Sequence, residues 1–236
     1  MATFGGIVVA TGGSPGTGRR TFLDIINELA RPVDAADETV RALAADAFRS
    51  AVRTMNRKGL WPWEILEEDI DITANNKFST ATGAIKKPLA MHFLDSSGGT
   101  RDERLCYIAY DRFVENFNMD YSSGPHSYTI PNLYETGQIR WFPTPPSADN
   151  TRFTYYRVTP APRSETEVVE IPDYATEVYM AYAQLEFMKR LPSEQRPFPV
   201  QVAMSMARSA FSEMSSHVNS PGDRSRMVGQ IAGGYR

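Results

Sequence analysis

Apolar residues recur at helical spacing in four segments, two near each end of the chain. The first two stripes are Phe22, Ile25, Ile26, Leu29 and Val40, Leu43, Ala44, Ala47, Phe48, Ala51, Val52, Met55. The other two are Val178, Ala181, Tyr182, Leu185, Met188 and Ala203, Met206, Ala207, Ala210, Phe211, Met214. Steps of three and four residues place each stripe on one face of a helix. Because each face must be buried against another element, we expect the two ends of the chain to meet.

The middle of the chain follows a period of two instead. Leu66, Ile70 and Ile72 alternate with Glu67, Asp69 and Asp71, which predicts a half-exposed strand. The pattern predicts a short helix near Asp111 and further strands over residues 89–94, 128–134, 139–142 and 153–158. The sequence therefore predicts an α+β fold: a four-helix bundle from both ends of the chain, with an inserted antiparallel β-module and an extended C-terminal tail.

These patterns divide the chain into four parts. The expected parts are a Gly-rich N-terminal arm (1–20), a helical bundle (21–63 and 173–218), the inserted β-module (64–172) and a C-terminal extension (219–236). The extension is rich in Gly, Ser and Arg, so it buries too little apolar surface to order itself.

Composition narrows the functional classes. The 236 residues are 42% hydrophobic and carry a net charge of -3, which argues against avid binding to duplex nucleic acid. The single cysteine, Cys106, excludes an intrachain disulfide, and no Cys or His pairs have zinc-site spacing. No apolar run approaches the ~18 residues of a membrane span. We expect a soluble protein of a reducing compartment, without a cofactor, a metal or a membrane partner.

Residues 13–20 resemble the phosphate-binding loop of P-loop NTPases. Arg19 stands where that loop has the lysine that contacts the terminal phosphates, and Arg20 where it has the magnesium-binding serine or threonine. Thr21 comes one residue too late. A nucleotide-binding enzyme that uses residues 13–21 is therefore the alternative function, and a flexible arm is the simpler interpretation.

The same segment has the form of a hydrolase nucleophile elbow around Ser14. The residue after the nucleophile must donate its backbone N–H to the oxyanion, and Pro15 has none. His92, His126 and His217 lie in unrelated segments, so the pattern indicates no catalytic triad.

Two polar strands each allow two interpretations. The carboxylates Glu67, Asp69 and Asp71 are typical of a solvated strand face, and cation binding is the alternative. The segment 152–157 mixes arginines with aromatic residues, as platforms for single-stranded nucleic acid do. A strand of a β-sandwich accounts for this segment more simply.

A set of segments follows in a recognisable order along residues 21–218. They are the helix 21–29, a second helix that closes on Trp61-Pro62-Trp63, the acidic strand, and segments 110–113, 134–145, 155–157 and 171–174 before two closing helices. Their order and spacing resemble the head-to-tail adaptor proteins of tailed bacteriophages, particularly the connectors beneath the portal in short-tailed phages.

This resemblance implies a structural protein of the virion neck, assembled in the bacterial host cytoplasm. In that family about twelve copies form a ring, with the portal above and tail-nozzle or tail-tube proteins below. The genome passes through the central channel without specific binding. The resemblance implies no enzymatic activity and no cofactor.

Three groups of residues are expected to serve this role. Glu67, Asp69 and Asp71 are candidates for lining the channel, where carboxylates repel DNA. Trp61 and Trp63 are candidates for the subunit interface. The candidate portal-binding residues of the extension are Arg224, Arg226 and Arg236 for acidic partners, with Met227, Val228, Ile231 and Tyr235 as apolar anchors.

Overall fold

The structure is a computed structural model that describes residues 20–117 and 123–219. Its helices are α1 (Phe22–Ala30), α2 (Glu38–Lys58), α3 (Tyr110–Asn116), α4 (Asp173–Arg190) and α5 (Val200–Asn219). Its strands are β1 (Ile65–Ile72), β2 (Phe78–Thr80), β3 (Ile85–Leu94), β4 (Thr100–Arg104), β5 (Cys106–Tyr107), β6 (Ser127–Thr129), β7 (Gln138–Phe142) and β8 (Asp149–Arg157). Over these ranges the fold is α+β, with five helices and two four-stranded sheets.

Local capping sets where the first two helices begin. The backbone N–H of Asp24 donates to the Thr21 hydroxyl at 3.2 Å, and the Thr21 N–H donates back to the Asp24 carboxylate at 3.0 Å. This reciprocal pair is a capping box. The Asp37 carboxylate accepts the Thr39 N–H at 2.7 Å and so caps α2. These signals made the starts of both helices predictable.

The prediction of a four-helix bundle is wrong. In a bundle each helix buries one stripe and exposes the rest, whereas six consecutive residues of α4, 178–183, are buried. Helix α4 packs along both α2 and α5, and the short α1 packs against α2 and α4. Helix α4 is therefore a central helix within a layer, and the stripe read from the sequence captured only part of its buried surface.

The β-strands form a sandwich. The first sheet has the order β1-β8-β3-β4 and the second β2-β7-β6-β5. All pairings are antiparallel except β5 with β6, which is parallel, so the second sheet is mixed and the module is not purely antiparallel as predicted. The predicted strand over 128–134 ends at Thr129, because the chain turns at Asn132 and Tyr134 adopts a φ of 68°.

The two sheets share one apolar core. Alternation along β8 turns Phe153 and Tyr155 inward, where Phe153 meets Tyr128 of the second sheet at 5.8 Å between ring centroids. Trp141 and Ile139 of β7 complete this core. The segment after β8 returns to the helices: the N–H of Phe22 donates to the Glu167 carbonyl at 2.9 Å. The helical layer therefore includes part of the chain that follows the sandwich.

Candidate functional site

The helical layer and the sandwich meet at a buried ion pair. Lys86 Nζ on β3 lies 2.7 Å from Glu64 Oε2, and the two side chains are 1% and 0% exposed. Glu64 also accepts the Trp61 backbone N–H at 3.2 Å and the Thr159 hydroxyl at 3.2 Å. Burial raises the pKa of Glu64, and the contact with Lys86 opposes that rise. The ion pair with Lys86 and the two hydrogen bonds together compensate the buried charge of Glu64.

Asn56 extends this polar network into α2. Its Nδ2 donates to the Thr159 carbonyl at 2.9 Å, and the Thr159 N–H donates to its Oδ1 at 3.0 Å. Thr159 follows β8, Glu64 precedes β1, and Lys86 belongs to β3. Hydrogen bonds in a region of low polarity are strong and directional. The network, which we call the joint, therefore fixes the sandwich relative to the helices.

The two tryptophans lie beside the joint. Their rings stack at 5.3 Å between centroids with an interplanar angle of 3°, and Trp61 Nε1 donates to the Met55 carbonyl at 3.0 Å. Trp61 is only 5% exposed and belongs to the core of its own chain. Trp63 is half-buried and meets the edge of Tyr174, which is 51% exposed. A neighbouring molecule would therefore reach Trp63 and Tyr174 rather than Trp61.

The carboxylates of Glu67, Asp69 and Asp71 on β1 point outward, as the alternation predicted, but they do not form a bare acidic stripe. Arg152 on β8 donates to Asp69 through Nε at 2.8 Å and Nη2 at 3.2 Å, and it lies 3.7 Å from Glu67. These hydrogen bonds lower the pKa of Asp69 and raise the pKa of Arg152. No cluster of three or more His, Cys, Asp or Glu within 20–117 and 123–219 is arranged to hold a metal ion.

Two predicted sites fall largely outside the described residues. They are the portal-binding residues Arg224, Arg226, Met227, Val228, Ile231, Tyr235 and Arg236, and residues 13–19 of the candidate phosphate-binding loop. Thr21, at the end of that loop, is described. Its hydroxyl caps α1.

Sequence reasoning missed the joint. Lys86 lies in a strand where alternation would bury only one of Ile85 and Lys86, yet both are buried. The reason is an irregularity in the pairing of β3 with β8 between Ile85 and Lys87. Such a bulge re-aims side chains and leaves little trace in a hydrophobic pattern. One sequence signal could have indicated the joint: Glu64 is a carboxylate that directly follows the apolar segment Trp61-Pro62-Trp63.

The family model of the SU10 adaptor protein matches residues 20–231, and the chain belongs to this family of phage head-to-tail adaptors. This confirms the resemblance seen in the sequence. Membership supports a structural rather than an enzymatic role and implies a component of the virion.

A comparison with curated proteins finds no match. In the part of the chain that is described, no helix has the length and apolar character needed to cross a membrane.

Proposed function

We propose that this chain forms a structural adaptor ring that connects the phage portal to the tail and forms part of the DNA channel. The observation that carries the proposal is the family match over residues 20–231. The ring would contain about twelve copies, with the portal above and tail-nozzle or tail-tube proteins below. It would occupy the virion neck after assembly in the host cytoplasm.

The joint supports this proposal physically. An adaptor must hold two partners at a fixed distance and orientation, so its two layers must not rotate against each other. The Glu64–Lys86 pair and the Asn56–Thr159 hydrogen bonds oppose such rotation, because any displacement would leave buried polar groups unpaired. We place the Trp63–Tyr174 edge at the subunit interface, where exposed aromatic groups are effective anchors.

We place the outer face of β1 in the channel. Glu67, Asp69 and Asp71 would present negative charge to the passing DNA, which keeps contacts with phosphates weak. The pairing of Arg152 with Asp69 and its approach to Glu67 moderate this charge without reversing it, since the three carboxylates outnumber this one arginine.

The C-terminal extension is the proposed portal clamp. Helix α5 continues to Asn219, so the extension begins where this helix ends. Its three arginines suit acidic partners and its four apolar side chains suit shallow pockets. Because a ring presents many copies to a symmetric partner, weak individual contacts add up to firm attachment through effective concentration.

Co-purification with portal rings tests this function. Deletion of residues 219–236 should leave the melting temperature unchanged and abolish capture of the portal. Deletion of residues 1–19 is the matched control and should leave portal capture intact. Portal capture at wild-type occupancy by the chain that lacks 219–236 would refute the clamp.

A further inference from the structure

The outer face of α2 and the last turn of α4 line a basic cavity that is open to solvent. It measures about 250 Å³ and is lined by Asp46, Arg49, Ser50, Arg53 and Arg190. Arg190 is held in place because its Nη2 donates to Ser50 Oγ at 2.6 Å. Arg49 is held by the carbonyl oxygens of two residues in the segment after β8, at 3.0 and 3.2 Å. The cavity therefore has a fixed, positively charged wall.

The described residues do not neutralise the positive charge of this cavity. Asp46 is its single carboxylate and lies 3.2 Å from Arg49. Arg53 is exposed and pairs with no carboxylate among the described residues, and the same holds for Arg57 one turn further along α2. The guanidinium of Arg53 is thus available to an acidic group from another molecule.

The turn between α1 and α2 carries the opposite charge. Asp34, Asp37 and Glu38 lie within five residues, all are exposed, and none forms an ion pair within the described ranges. Asp34 and Asp37 accept the backbone N–H groups of Ala36 and Thr39 at 2.9 and 2.7 Å, which fixes the shape of the turn. The turn stays net negative even when Arg31, which precedes it, is counted.

Some other acidic side chains are paired within the described residues. Glu28, Glu165 and Glu186 each face an arginine or a lysine of the same chain. Among the described residues the acidic turn has no such partner, so its carboxylates are available to a cation of another molecule.

We propose that the acidic turn of one copy enters the basic cavity of a neighbouring copy. The two patches cannot meet within one chain, because Glu38 and Arg53 belong to the same continuous helix and lie roughly 22 Å apart along its axis. A contact between two different surfaces of the same chain is head-to-tail and propagates from copy to copy until a ring closes. This inference rests on the proposed ring and names the residues that join its subunits.

A charge change on each side tests the contact in the full chain. Arg53→Glu changes the cavity, and Asp34→Lys with Glu38→Lys changes the turn while sparing the cap residue Asp37. Each variant should assemble only at concentrations about tenfold or more above those of the wild type, measured by analytical ultracentrifugation. An equimolar mixture should restore assembly in part, because the acidic turn of the Arg53→Glu chain then finds the unchanged basic cavity of the turn variant, whereas the lysine-bearing turn meets a cavity without net charge. Arg208→Glu, on the exposed face of α5, is the matched control and should assemble as the wild type does.

The outcomes separate this contact from the proposed function. Wild-type assembly by Arg53→Glu overturns the contact and leaves the ring standing. Loss of assembly that mixing does not restore also overturns it, because the turn is then not the occupant. A defect of Arg53→Glu in DNA binding, with normal assembly, would assign the cavity to nucleic acid instead. Portal capture by Arg53→Glu at wild-type occupancy would show that the ring functions without this contact.

Discussion

Glu64 and Lys86 are joined by a 2.7 Å ion pair that lies between the helices and the sandwich, and neither side chain is more than 1% exposed. Each charge depends on the other, because water does not reach either one. Removal of one partner leaves the other charge buried and unpaired, which is far more costly than the loss of an exposed pair. A change in the orientation of the two layers would separate this pair, so the pair stabilises one orientation of the helices relative to the sandwich.

We expect Glu64→Gln and Lys86→Met each to lower the free energy of unfolding by about 3–5 kcal/mol. The double variant should be less destabilised than the sum of the two changes, with a coupling energy of about 1–3 kcal/mol. Urea denaturation followed by circular dichroism measures these values.

An exposed pair of the same chemistry provides the control. Lys189 Nζ lies 2.6 Å from Glu186 Oε1 on α4, and both side chains reach solvent. Glu186→Gln and Lys189→Met should each change stability by less than about 1 kcal/mol. Equal effects at the two pairs would contradict a special role of the joint.

Phe48 tests the apolar core of the helical layer. Its ring is 1% exposed and lies 5.8 Å from the ring of Phe22. Phe48→Ala should lower the free energy of unfolding by about 3–5 kcal/mol, because it empties a large buried site. Phe78→Ala is the control, since Phe78 is 38% exposed on β2, and it should cost less than about 1 kcal/mol. A loss below about 1 kcal/mol at Phe48 would contradict its placement in the core.

Asp69 gives a pH dependence of known sign. Arg152 lowers the pKa of Asp69 in the folded chain, so the ionised carboxylate stabilises the fold above the pKa of the unfolded chain, about 3.9. That stabilisation is lost as the pH falls through the lower pKa of the folded state. Asp69→Asn should therefore be less stable than the wild type at pH 7, and the difference should shrink as the pH falls below the pKa of the unfolded chain and vanish below the lower pKa of the folded state.

Removal of Arg152 checks the cause of this effect. In an Arg152→Gln background, Asp69→Asn should have little effect at either pH, because the hydrogen bonds that lower the pKa are gone. A stability difference that persists unchanged in that background would assign the effect to another group.

The sequence was informative wherever a single local rule decides the structure. The capping residues Thr21 and Asp37 mark the starts of α1 and α2, and alternation placed Ile70 and Ile72 inside with Asp69 and Asp71 outside. Each of these features depends on residues a few positions apart. The helices and five of the eight strands that the structure describes were therefore predictable, whereas the strands β2, β4 and β5 were not predicted.

Features that depend on distant residues were not predictable. The bundle prediction failed because burial of α4 on several sides depends on α2 and α5, and a single-stripe pattern does not reveal a second covered face. The joint depends on Asn56, Lys86 and Thr159, which come together only after the chain has folded. The role of Arg152 likewise follows from the register of β8 against β1, where it stands opposite Asp69.

Electron microscopy of the purified full-length chain tests the central claim most directly. Class averages of negatively stained particles should show closed rings of about twelve copies with a central opening. The same preparation should bind portal rings along the shared axis. Particles that remain monomeric at every concentration, or that form open filaments without closed rings, would contradict the account.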